Sequence, residues 1–349
     1  MTRFLLSAFS FVLCFAALEA LCRWTELGQT GSAYWQEDRS TGTWSVPSGA
    51  GGSSLGFAGW PVYQPEGRLV YRYSDNPRGY FDRNNEVIGS INAYGYRGRQ
   101  HDRDKPEGVT RIAFLGDSFT LGIGVRDDDT LPASLERAAR GAGYSVESLN
   151  FGITASNTQL QLRALREYVL RFEPDVVVIV MFLNDAKLRG TVGYLSRAKY
   201  LRGVREHSYF ANALIGTIER RLGHDKLIQY YRDGYNPESP GWLAMQASLA
   251  EAHSLARRKN FELVAALYPV LIDLEGPYPF DEIHRTIGGF VRSIDVHYVD
   301  LLPAFRGHRD EELWVHASDQ HPNEVAHEKA AKALLSFLDE RGLIGLRAR

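Results

Sequence analysis

The C-terminal two-thirds of the chain predicts a three-layer α/β/α sandwich built around a parallel central sheet. Three observations carry that expectation. Val176-Val177-Val178-Ile179-Val180-Met181-Phe182 is a continuous β-branched run of the kind buried on both faces of a parallel sheet. From about Thr110 onward, strand-like and helix-like patterns alternate. Several residues able to do chemistry fall just after strand ends, where such sheets bind ligands.

The elements can be read in order. After Arg3, residues 4–22 are apolar except for Ser7, Ser10 and Glu19. As a helix this segment spans roughly 28 Å, near the thickness of a bilayer core. A cleaved secretory signal and an uncleaved signal anchor both fit. No small-x-small site ends the run, and Leu21-Cys22 fits a lipoprotein site poorly, which favours the anchor. Either way, the body of the protein is expected outside the cytoplasm. Residues 23–108 read as a linker and a small β appendage. Ser45 to Gly59 is rich in Gly, Ser and Pro, and two β-like runs, Leu69–Tyr73 and Val87–Ile91, flank the turn-rich Ser74–Gly79.

The sandwich itself is expected over residues 109–345. Ile112–Leu115 is its first strand. Thr130 caps a helix through Arg140, with Pro132 in the first turn and Gly141 stopping it. Val146–Leu149 is a strand, Gln159–Phe172 a helix and Val176–Phe182 a strand. Residues 186–241 form a possible lid or insert, with Tyr194, Arg197, Tyr200, Arg202, Tyr230, Tyr231 and Tyr235 as a candidate wall for sugar rings. Within it Phe210, Leu214, Ile218 and Leu222 make a plain helical stripe. Pro240 opens a helix, Phe261–Leu267 and Tyr298–Leu301 are strands, and Glu324–Arg341 is the last helix.

Composition narrows the function. The 349 residues are 44% hydrophobic and 23% charged, and 40 Lys plus Arg balance 42 Asp plus Glu for a formal charge of −2. Without a basic excess, nucleic acid is not an expected partner. The two cysteines, Cys14 and Cys22, both precede the folded domain, which excludes a disulfide framework and a cysteine nucleophile there. No Cys/His cluster has zinc spacing, and no metal or organic cofactor is implied.

Gly116-Asp117-Ser118-Phe119-Thr120 follows the first strand and sets Ser118 at its end. Taken alone, such a serine is as readily a turn or cap residue. Thr120 breaks the Gly-x-Ser-x-Gly elbow of the α/β-hydrolases, and Gly122-Ile123-Gly124 does not complete a dinucleotide fingerprint. A serine nucleophile needs a base and donors for an oxyanion. His321, in Ser318-Asp319-Gln320-His321-Pro322-Asn323, stands at the rigid approach to the last helix. Gly152 and Asn184 each follow a strand.

These four blocks, in this order over about Arg111–Leu338, resemble the Ser-Gly-Asn-His (SGNH) hydrolase superfamily, the GDSL esterases and lipases, and its membrane-anchored bacterial envelope members. The resemblance implies a flavodoxin-like sheet, Ser118 as nucleophile and His321 as general base. It also implies an oxyanion hole made by Gly152, Asn184 and the Ser118 N–H. Phe119 stands where the family has leucine, and Phe182 where it has glycine. The orienting acid departs further, because the family places Asp three residues before the histidine and this chain has Ser318 there. Asp319 is the substitute, since residues i and i+2 of an extended segment point the same way. Asp117 and Asp185 read as structural, bonded to turn amides.

The expected function is therefore a serine esterase at the outer face of an inner membrane, acting on an acylated small molecule or glycan such as an O-acetylated envelope polysaccharide. The same residues would serve an O-acyltransferase, and a non-catalytic binding module is a third reading.

Overall fold

A computed structural model describes residues 14–25, 34–35, 62–186 and 208–345. The first part of the apolar N-terminal run, the Ser45–Gly59 stretch, and Tyr194, Arg197, Tyr200 and Arg202 lie outside the described residues. Helix α1 covers 14–24, and no described helix is long and apolar enough to cross a membrane.

Three short strands come before the main domain: β1 (Tyr34–Trp35), β2 (Arg68–Arg72) and β3 (Glu86–Ser90). They pair antiparallel in that order. The central sheet holds β4 (Thr110–Gly116), β5 (Val146–Gly152), β6 (Val176–Met181), β7 (Glu262–Leu267) and β8 (His297–Asp300). Its strands are all parallel and ordered β5-β4-β6-β7-β8. This is the flavodoxin-like 2-1-3-4-5 order, whose switch point lies between β4 and β6. Every residue of β6 is buried, as its unbroken apolar run requires.

Helices cover both faces. On one side α3 (Leu131–Gly141) packs against α8 (Glu324–Glu340). On the other, α4 (Thr158–Glu167) packs against α6 (Pro240–Lys259), whose Trp242 meets Phe290 of α7 (Asp281–Ser293) at 5.6 Å. The sequence expectations hold for the central strands, with two differences. Strand β5 runs on to Gly152 because the polar Asn150 is buried and satisfied, its Nδ2 donating to the Thr120 carbonyl at 2.9 Å. The helix expected over 159–172 ends at Glu167, and a 3-10 turn, Val169–Phe172, completes it.

Helix α7 and an antiparallel hairpin, β9 (Trp314–His316) with β10 (Asp319–Pro322), were not foreseen. The Gly288-Gly289 pair disguises α7 as a loop. Gly288 is small because a Cβ there would lie 2.7 Å from the Tyr298 ring of β8. Helix α5 (Tyr209–Gly234) carries Tyr231, and Tyr235 follows it. Both rings are buried in the main core instead of walling a cleft.

The appendage is joined to the sandwich by a shared apolar cluster. Tyr71, Tyr73, Phe81, Val87 and Ile91 pack with Leu121, Ile123 and Val125 of the segment after β4 and with Val315 of β9. The buried guanidinium of Arg97 reinforces the joint. It donates to the carbonyls of Leu121 (2.6 Å), Gly122 and Val125 (2.5 Å) and pairs with Asp127 at 3.0 Å. An Arg97→Met variant leaves these acceptors without their donor. It should lower stability by about 3 kcal/mol in urea unfolding monitored by circular dichroism.

Candidate active site

The C-terminal end of β4 turns sharply because nothing larger than hydrogen fits at Gly116. A Cβ there would lie 2.0 Å from Thr120 Oγ1 and 2.9 Å from the Val180 carbonyl. The chain then enters the one-turn helix α2 (Ser118–Leu121), capped by Asp117, whose Oδ1 accepts the Phe119 N–H at 2.9 Å. Ser118 is thus the first helical residue, partly exposed, with a backbone N–H that has no intrahelical partner.

His321 approaches from the hairpin. Asn323 is fully buried and caps α8, its Oδ1 accepting the Ala326 N–H at 3.0 Å. Its Nδ2 donates to the Glu312 and Trp314 carbonyls at 2.7 and 3.1 Å. These bonds lock the approach to the helix. His321 Nε2 lies 3.0 Å from Ser118 Oγ, and its Nδ1 lies 2.5 Å from Asp319 Oδ1. Asp319 and His321 are i and i+2 in β10, so both side chains leave the same face. An ionised carboxylate only accepts, so Nδ1 carries the proton and Nε2 is left to accept from the serine hydroxyl.

Burial pushes the Asp319 carboxyl up, but the His321 charge and the hydrogen bonds from His321 and Tyr73 outweigh it and hold it below the ordinary range. For His321, burial pushes the imidazole down, and the Asp319 charge and hydrogen bond, helped by Asp117, outweigh that and raise it. Ser318 faces elsewhere, with its hydroxyl 2.6 Å from His316 Nδ1.

Asn184 lies in the 3-10 turn Leu183–Ala186 that follows β6. Its Nδ2 donates to Asp117 Oδ2 at 2.9 Å, which uses one of the two amide hydrogens. Asp185 accepts the Phe182 N–H at 3.0 Å and Gln161 Nε2 at 3.1 Å. Both aspartates bond turn amides. Burial raises the pKa of each, and the Asp117 charge adds to the rise at Asp185. Phe182 takes the place of a glycine without strain. Its φ is not left-handed, and its ring packs 4.2 Å from that of Phe119.

Gly152 departs from the expectation. The Ile153 N–H points to the Gly116 carbonyl of β4 at 2.9 Å, so the preceding N–H, that of Gly152, faces the outer edge of the sheet. There it donates to Asn150 Oδ1 at 3.0 Å and is not directed at Ser118. Gly152 is glycine for close packing, since a Cβ would lie 2.2 Å from the Leu121 nitrogen. Three residues on, Ala155 holds a left-handed φ of 57°, and its backbone N–H has no hydrogen bond among the described residues. Its turn is tied to β4 by Ser156 Oγ, which donates to the Gly116 carbonyl at 2.9 Å. The sequence carries no signal for this, because an alanine in left-handed backbone looks like any other alanine.

Ser118, His321, Asp319 and Asn184 therefore converge at the switch point of the sheet, in an arrangement suited to acyl transfer. The chain belongs to the GDSL-like Lipase/Acylhydrolase family, whose model matches residues 114–329. It is an α/β protein of the ester-hydrolysing type that this family defines. Solved structures similar to it include TesA (18% identity, TM-score 0.44, covering 67% of this chain and 100% of that one). A lipase/acylhydrolase from Enterococcus faecalis has 18% identity and a TM-score of 0.41, covering 66% and 96%. A two-domain esterase active on acetylated mannans has 14% identity and a TM-score of 0.43, covering 67% and 50%. These likenesses concern the fold alone. Curated proteins give no match.

Two substitutions test the close packing at Gly152 and the left-handed backbone at Ala155. Gly152→Ala should destabilise the protein by about 3 kcal/mol through overpacking. Ala155→Gly relieves left-handed strain and should raise stability by up to about 1 kcal/mol in the same denaturation assay.

Proposed function

We propose that the protein is a serine esterase in which Ser118 is the nucleophile, His321 the general base and Asp319 the acid that orients it. The line of hydrogen bonds Ser118 Oγ–His321–Asp319, at 3.0 and 2.5 Å, carries this reading. Ser118 Oγ attacks the ester carbonyl carbon while its proton passes to His321 Nε2. The alkoxide oxygen of the tetrahedral intermediate accepts from the Ser118 N–H, the second amide hydrogen of Asn184 and the Ala155 N–H, which takes the part expected of Gly152. Each such donor contributes about 3 kcal/mol to the transition state. His321 then gives its proton to the leaving alcohol. Water, deprotonated by the same imidazole, releases the acid from the acyl-enzyme.

We place the acyl group on an envelope glycan, as an O-acetyl ester, with the domain held outside the cytoplasmic membrane by its N-terminal segment. The apolar run at residues 4–22 supports this reading. Phe15, Leu18 and Leu21 of that run are exposed along α1, as is Trp24 at the end of the helix. The helix is fixed to the domain through Glu19, which accepts from Ser208 Oγ (2.7 Å) and the Phe210 N–H (3.0 Å). A glycan hydroxyl in place of water would make the same site an O-acyltransferase, and assays with and without a glycan acceptor separate the two.

The purified full chain should hydrolyse p-nitrophenyl acetate. Ser118→Ala should lower kcat by more than about a thousandfold, and Asp319→Asn by about as much, through loss of the correct tautomer. Full activity in the Ser118→Ala protein would refute the assignment. Because the base must be neutral and its pKa is raised, kcat/KM should fall as pH drops through an apparent value above the 6.5 of an ordinary imidazole. A limb below 6.5 would contradict the coupling to Asp319.

A further inference from the structure

The β appendage lies largely outside the residues that match the family, yet it reaches the acid of the site. Tyr73, just past the end of β2, donates its hydroxyl hydrogen to Asp319 Oδ2 at 2.9 Å, and both residues are buried. Asp319 Oδ1 is occupied by His321, which gives it both the ring Nδ1–H and, at 3.2 Å, the backbone N–H. Among the described residues the Tyr73 hydroxyl is the sole donor to Oδ2. A buried carboxylate oxygen without a donor is costly, so this hydrogen bond bears directly on the charge and orientation of Asp319.

The hydroxyl is well fixed. The Tyr73 ring stacks on Phe81 at 4.4 Å with an interplanar angle of 9°, and lies 5.4 Å from the His316 ring. Its oxygen reaches Asp319 past Gly124, where a Cβ would stand 2.3 Å from it. That close approach gives a physical reason for the second glycine of Gly122-Ile123-Gly124. Two residues further on, Asp75 Oδ1 pairs with His316 Nε2 at 2.7 Å. His316 Nδ1 in turn accepts from the Ser318 hydroxyl at 2.6 Å and the Ser318 N–H at 3.1 Å. Tyr73 and Asp75 thus hold the two sides of the turn that delivers Asp319.

We propose that Tyr73 is a positioning residue for the Asp319–His321 pair, which makes the β appendage a working part of the site. The proposal rests on the serine-esterase reading above. The other charged or titratable groups facing the pair are Asp117 and His327 on the His321 side, and Tyr71, Arg78, Asp75 and His316 around Tyr73 and Asp319. Burial, then the Asp319 charge, keeps the Tyr73 phenol protonated far above neutral pH, so it remains a donor throughout the working range.

The hydrogen bond from Tyr73 is stronger when Asp319 faces a neutral imidazole than when it faces an imidazolium. It therefore favours the neutral base. Tyr73→Phe keeps the ring stack and removes only the hydroxyl. The acid limb of kcat/KM should move up by about half a pH unit, the size expected from losing part of a charge-assisted hydrogen bond. With His321 less firmly oriented, kcat should fall about tenfold. The His321 ring, followed by NMR in the full chain carrying Ser118→Ala, should show the same upward shift when Tyr73→Phe is added, without any turnover being required. Phe81→Leu serves as the packing control, expected to lower the thermal midpoint and leave the limb in place. An unmoved limb and an unmoved His321 titration in Tyr73→Phe overturn the proposal, whether or not the thermal midpoint drops, and so does a downward shift. Failure of the esterase reading shows separately, as undiminished activity in Ser118→Ala.

Discussion

Two backbones cross at contact distance where the end of β5 passes α2, and the position of Ser118 depends on that crossing. Gly152 lies against the Leu121 nitrogen, and Gly116 against Thr120 and the Val180 carbonyl, with no room for a side-chain carbon at either point. Contacts this close fix α2 against the end of β5, so its first residue stands over the C-terminal end of the sheet. The Asn150 side chain closes the crossing by donating to the Thr120 carbonyl and accepting the Gly152 N–H. Gly152, expected as a donor, is here a point of close packing, as Gly116 is. The serine is presented by the sheet, and its surroundings bring the remaining groups to it.

Three buried carboxylates lie on the elements that carry the site, and their environments push them in different directions. Asp319 meets an imidazole and a phenol and is held ionised. At Asp117 and Asp185 burial outweighs the hydrogen bonds from amides, and their pKa values rise. Divergence of this kind separates the carboxylate paired with the imidazole from those that shape a turn. It also agrees with the local sequence. Asp117 and Asp185 sit where a chain leaving a strand needs acceptors for its first amides, whereas Asp319 sits in the strand that carries the histidine.

Much of this was legible in the sequence for physical reasons. The β6 run reads as a strand buried on both faces, and Thr130-x-Pro132 as the start of a helix. Asp319 and His321, two apart in an extended segment, had to share a side. Longer-range or subtler features were hidden. The outward direction of the Gly152 N–H depends on which edge of β5 is paired, and the left-handed backbone at Ala155 has no residue signature. Tyr73 was readable only as one apolar member of an appendage strand, because its partner comes 246 residues later. Helix α7 was concealed by a glycine pair, of which Gly288 has a packing cause in the Tyr298 ring of the next strand.

Contacts between remote parts of the chain have a temporal consequence. Ser118 meets His321 across 203 residues, and Tyr73 meets Asp319 across 246. Pairings so distant form late, after the entropy of closing very large loops has been overcome. During synthesis, the strands that brace the acid and the turn that bears the serine emerge long before the hairpin they will grip. A nascent chain therefore holds Ser118 without its imidazole. On the serine-esterase reading, reactivity would wait until the last tenth of the sequence has docked, and an unfinished chain would be chemically silent.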